Sequence, residues 1–179
     1  MRDFNLPLAE KVDFHVLAKN EADYSLTLPQ AMFTRLKASC NGLIGDAALK
    51  VHFFYDLQGL ACIEGSLKMK VSLTCERCLQ PFEQELDAVF LSTCDEAKAR
   101  SLRLEEKYDC VELDEDGLFD LYHYLEDCLL LELPFAPRHP EGSEECALAG
   151  EDWSFGEEIK EENPFAGLKD LMAGKKAGK

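Results

Sequence analysis

The chain has 179 residues, with 19 Lys and Arg against 35 Asp and Glu, for a formal net charge of −16. That length supports one core with room for a tail rather than two full domains, and the charge creates a field that repels phosphate and attracts basic partners. Met1 to Phe14 holds Asp3, Glu10, Lys11 and Asp13 with no apolar run, and Leu129-Leu130-Leu131 stops at Glu132, far short of the roughly 20 apolar residues of a bilayer span; the expectation is a cytoplasmic protein with no membrane segment.

Val12, Phe14 and Val16 alternate with Asp13 and His15, and Tyr24, Leu26 and Leu28 with Ser25 and Thr27, which predicts two opening strands with His15 facing outward. Pro29 suits a first helical position, and Met32, Phe33 and Leu36 follow at helical spacing until Asn41-Gly42. Alternation returns in Ala47, Leu49, Val51, Phe53 and Tyr55. Asp56-Leu57-Gln58-Gly59 predicts a hairpin turn into Leu60 to Glu64 and then Leu67, Met69, Val71 and Leu73. Phe82 to Leu91 reads as the next strand, Asp95 to Glu106 as a charged loop and Tyr108 to Leu113 as a last strand. Asp120 then caps a helix in which Leu121, Tyr124, Leu125, Cys128 and Leu131 recur at three- and four-residue steps, with His123 half-exposed on its first turn and Pro134 as its stop. The expected fold class is α+β: a curved antiparallel sheet or partial barrel with two covering helices over residues 1–137, followed by an acidic C-terminal tail over 138–179.

Without a secretory leader, eight cysteines read as reduced thiols. Cys62, Cys94, Cys110 and Cys128 lie in apolar stretches and read as packing residues; Cys40 reads as a loop position. Cys75 and Cys78 fall at a tight turn between the strand ending at Thr74 and the one resuming at Phe82, which sets two sulfurs side by side. Two thiolates at that spacing can share one soft cation, and a turn that merely contains two cysteines is the equal alternative. Adding His139 and Cys146, beyond the helix, gives the Cys₃His donor set of a structural zinc site, although six residues separate the second pair. Zinc is the single cofactor the residues suggest. There is no glycine-rich phosphate loop, helix-borne histidine pair or serine elbow, so an enzyme is not expected.

From Arg138 to Glu162 nine carboxylates face Arg138 and Lys160, a composition that cannot bury enough apolar surface to offset ordering, so mobility is expected there. Trp153 and Phe155 are the exceptions, as anchors or partner contacts. Asn163 and Pro164 read as the cap and first position of a short helix at about 164–173 that places Phe165, Leu168, Leu171 and Met172 on one face. So short a helix must dock to persist. Asn163, Pro164, Phe165 and Leu168 are therefore candidate partner-binding residues.

Three motifs in order, Cys75-Glu76-Arg77-Cys78 with Pro81-Phe82, Leu133-Pro134 with Pro137-Arg138-His139 and Cys146, and Asn163-Pro164-Phe165-Ala166 with Leu168, together resemble the large ribosomal RNA subunit accumulation protein family, the YceD family of bacteria and plastids. The resemblance implies a non-enzymatic cytoplasmic factor for the synthesis, processing or stability of 23S ribosomal RNA. Combined with the acidic charge, it points to basic ribosomal or rRNA-processing proteins as partners. The alternative is a zinc-stabilised module that binds RNA directly, and a thiol redox switch at Cys75 and Cys78 is a third.

Overall fold

The computed structural model describes residues 7–140 and 143–147; Asn163, Pro164, Phe165 and Leu168, and the helix expected around them, lie outside the described residues. The fold is mixed α+β. Five strands form one sheet in the order β2 (Asp23–Leu28), β3 (Gly42–Tyr55), β4 (Ala61–Thr74), β5 (Pro81–Thr93) and β6 (Asp109–Cys110), open at both edges. The first four are an antiparallel meander, as the alternation predicts, because period-two patterning survives into a sheet that buries one face. β6 pairs parallel to β5, at Ser92↔Asp109 and Thr93↔Cys110, and is far shorter than the strand expected over Tyr108 to Leu113. A separate two-stranded ribbon joins β1 (Lys11–Val12) to β7 (Phe119–Asp120).

The turn after β3 has the predicted form. Asp56 Oδ1 accepts from Gln58 and Leu60 N–H groups at 2.9 and 2.8 Å, and Gly59 takes a positive φ of 73°. Near its start β3 slips register against β4 between Ile44 and Ala48, where Gly45 also has φ of 77°, a bulge that increases local twist.

The opening segment departs from expectation. Phe14–Lys19 is helix α1, not a strand, because Asp13 accepts from the Val16 N–H at 2.9 Å as an N-cap, and Phe14 and Ala18 then fall one helical turn apart on the buried face. His15 is exposed on that helix. Pro29 precedes its helix with an extended backbone; the segment breaks into a 3₁₀ turn, Gln30–Met32, and helix α2, Thr34–Ala38. The supposed charged loop contains helix α3, Glu96–Ser101, whose Ala99 packs with Leu60, Cys62 and Tyr108 in a second small core.

Helix α4, Leu121–Leu131, begins where expected, with Asp120 Oδ1 accepting from the His123 N–H at 3.0 Å. Its buried stripe is Leu121, Leu125, Glu126 and Leu129, whereas Leu131 is 85% exposed and off that stripe. Glu126 is the unexpected member. One of its carboxylate oxygens accepts from the Arg35 and Leu36 N–H groups at 2.6 and 3.1 Å, so a side chain of α4 caps the N-terminus of α2, while the Arg35 guanidinium spans Glu126 and Asp127.

The sheet and α4 meet through aromatic edges. Phe53, Phe14, Phe119, Tyr124 and Phe90 form a chain with successive ring centroids 5.5, 5.2, 5.3 and 5.4 Å apart, each pair tilted or edge-on. Phe90 fits because its cross-strand partner is Gly65. A Cβ at Gly65 would lie 2.3 Å from the Lys50 carbonyl oxygen and 2.8 Å from the Phe90 ring.

Two outcomes follow from these contacts. Gly65→Ala must displace backbone and ring together, and a loss of roughly 1–3 kcal/mol in urea unfolding is expected; an unchanged midpoint would contradict the close approach. Glu126→Ala strands two amide donors beside Arg35, for an expected loss of about 2–4 kcal/mol, with Glu126→Gln in between since it keeps an acceptor but loses the charge.

Candidate functional site

The β4–β5 connection is the turn Cys75–Gln80. The Cys75 N–H donates to the Gln80 carbonyl at 2.9 Å and the Leu79 N–H to the Cys75 carbonyl at 2.8 Å, closing the loop at the tip of the longest strand pair in the sheet. Leu79 accommodates this closure at a φ of 61°, in the left-handed region that a side chain ordinarily avoids. Its side chain is exposed, so it meets no packing conflict there.

Past α4 the chain returns to this tip. The Glu76 N–H donates to the Pro137 carbonyl at 2.9 Å, and the Phe82 ring lies 4.9 Å from the His139 ring. These contacts bring in His139 and Cys146, the two residues that the sequence proposes but cannot place. Cys75 and Cys146 have their Sγ atoms 3.8 Å apart, and the Cys78 Sγ is 3.3 Å from His139 Nδ1. The four donor atoms all lie within 4.8 Å of one another, with Cys75, His139 and Cys146 buried and Cys78 half-buried. All four sequence candidates for a metal site thus converge on one point.

The thiols differ sharply from one another. Burial acts to raise the Cys75 thiol, but hydrogen bonding to the backbone of Cys78, His139 and Arg77, with the His139 side chain, outweighs it and holds Cys75 below the usual thiol range. Burial and the neighbouring sulfurs of Cys75 and Cys78 push the Cys146 thiol up. A thiolate is thus favoured at one end of the cluster, which is the form a soft cation binds.

The remaining cysteines do other work. Cys62 is buried and pushed up to about 11, chiefly by desolvation, as a packing thiol should be. Cys128 is half-buried against the core, while Cys110 is exposed, contrary to its reading as a packing residue. Cys94, pushed up to about 12 mainly by burial, lies near His15 and Asp95 in a second, more open cluster that sequence reasoning missed, its members being 79 positions apart.

Elsewhere a groove of ≈ 520 Å³ runs between β5, β6 and α4. Val89, Val111 and Leu131 give it apolar walls, and Asp109, Glu112, Asp127 and Glu132 also line it. Val89 and Leu131 are 77% and 85% exposed. Among the described residues no helix is long and apolar enough to cross a membrane.

A family model described as large ribosomal RNA subunit accumulation protein YceD matches residues 63–172. Among curated proteins, the large ribosomal RNA subunit accumulation protein YceD of Haemophilus influenzae is 33% identical over 175 residues, covering 96% of this chain and 98% of its own. No solved structure matches the chain.

Proposed function

Because the chain belongs to the YceD family of large ribosomal RNA subunit accumulation proteins, we propose that it is a cytoplasmic, non-enzymatic ribosome-biogenesis factor supporting the synthesis, processing or stability of 23S ribosomal RNA. The observation that carries this reading is a likeness that runs through almost the full length of both chains rather than through one motif.

The route is through a basic protein partner. A net charge of −16 opposes a bare RNA backbone and steers a cationic ribosomal or rRNA-processing protein toward this surface. The groove beside α4 suits such a partner, since exposed apolar side chains there stand among carboxylates that would pair with Lys and Arg. Asn163, Pro164, Phe165 and Leu168 supply a second contact in the same reading.

Deleting the gene should lower 23S relative to 16S ribosomal RNA, measured on total RNA from growing cells, and the intact chain should restore the ratio. An unchanged ratio would sink the assignment. A Val89→Lys, Leu131→Lys double variant tests the partner route, because both side chains are exposed and their loss should move the melting temperature by less than about 4 °C. It should nonetheless fail to complement the deletion and fail to retain basic ribosomal proteins in a pull-down. Full complementation would remove the groove from the reading, and tight, salt-sensitive binding of naked RNA would replace the protein partner with RNA itself.

A further inference from the structure

We infer that Cys75, Cys78, His139 and Cys146 hold one structural zinc ion, which clasps the chain beyond α4 to the tip of the β4–β5 hairpin. This does not depend on the ribosomal role. Zinc–sulfur bonds of about 2.3 Å and a zinc–nitrogen bond of about 2.0 Å give a tetrahedron with sulfur–sulfur edges of about 3.8 Å and sulfur–nitrogen edges of about 3.5 Å. The Cys75–Cys146 and Cys78–His139 separations, 3.8 and 3.3 Å, are close to those edges. They are far from the roughly 2.05 Å of a disulfide, which would in any case leave Cys78 and His139 without a role.

The donor chemistry narrows the ion. Three sulfurs and one imidazole nitrogen are too soft for magnesium or calcium, which take oxygen ligands, and four protein donors fill a tetrahedral shell with no position left for water. That is the pattern of a structural site. The surroundings complete it: the Glu76 N–H holds the Pro137 carbonyl at 2.9 Å, and Phe82 packs against the His139 ring, so the returning chain and its imidazole are oriented by their neighbours. Three thiolates around Zn²⁺ leave a net charge of −1, which the adjacent Arg77 and Arg138 can balance.

What the ion would hold is also visible. The segment after α4 has little apolar anchorage: Phe135 is fully exposed, and the Glu144–Ala147 turn, α5, is four residues long, too short to persist as a helix unaided. Yet His139 and Cys146 are buried against the knuckle. Metal binding free energy becomes folding free energy for such a segment, whereas the sheet has its own core and does not require the ion. The clasp therefore fixes His139 and the Glu144–Ala147 turn against the hairpin tip. The more open His15, Cys94 and Asp95 cluster offers one sulfur and carries no comparable case.

The test uses full-length, untagged protein purified under reducing conditions. Elemental analysis should give one zinc per chain, and exchange into cobalt(II) should give the intense visible bands of a tetrahedral thiolate site together with a sulfur-to-cobalt charge-transfer band. Cys146→Ser should lower zinc retention and weaken the charge-transfer band. Treating the parent with a chelator and a thiol reductant should raise the rate of proteolytic cleavage between residues 133 and 147 by about tenfold or more, with the β-sheet circular dichroism signal retained. Should Cys146→Ser not fold, the cobalt spectrum and stoichiometry of the parent still decide. Zinc below about a tenth of an equivalent with no cobalt bands overturns the site, and a different metal at full stoichiometry overturns the zinc assignment. Loss of the sheet signal on chelation would overturn the clasp by making the ion part of the core.

Discussion

The pairing of β4 with β5 is the constraint on which the rest of the molecule depends. Its register runs unbroken from Cys62↔Thr93 to Thr74↔Pro81. A slip of one residue would turn every buried side chain of one strand to the solvent face. The same register sets Phe90 opposite Gly65, where a glycine leaves room for the ring, and so decides where α4 can lie. It also carries Cys75 and Cys78 to one end of the sheet, and Leu60 and Cys62 to the small second core at the other.

Around that ribbon, the buried polar groups Glu126 and Ser92 have partners. Glu126 is a buried carboxylate inside the α2–α4 contact, an arrangement that costs desolvation but is matched by two backbone donors and the Arg35 guanidinium. Ser92, buried on β5, shares a 2.7 Å hydrogen bond with the Tyr124 hydroxyl, so the same helix that sets its ring edge-on to Phe90 also satisfies a strand hydroxyl. Packing and polar pairing thus converge on α4 as the element that closes the sheet's inner face.

The thiol–imidazole cluster and the groove beside α4 sit at separate places and differ in their physics. The thiol–imidazole cluster at the hairpin tip is buried, held by backbone donors and suited to a soft ion. The groove beside α4 is open, with exposed apolar side chains standing among carboxylates.

Local patterning determined much of this from sequence. Alternation over β2 to β5 is legible because strand side chains repeat every two residues, and the turn at Asp56 to Gly59 because its residues carry the backbone conformation themselves. The Cys75 to Cys78 knuckle is legible for the same reason, its donors being neighbours in the chain. Val12 to Val16 misleads because a short apolar alternation also satisfies one helical turn, and the Asp13 cap decides between them once Phe14 has a core to enter. Glu126 could not be recognised as a buried cap, since its amide partners lie 90 and 91 positions away. His139 and Cys146 could be proposed from residue type but not placed, because the 61 and 71 positions that separate them from their sulfur neighbours are closed by the whole β5-to-α4 path. Contacts within a turn or strand follow from the dihedral preferences of adjacent residues; contacts across the chain exist only after the sheet register and the α4 packing have fixed where distant segments meet.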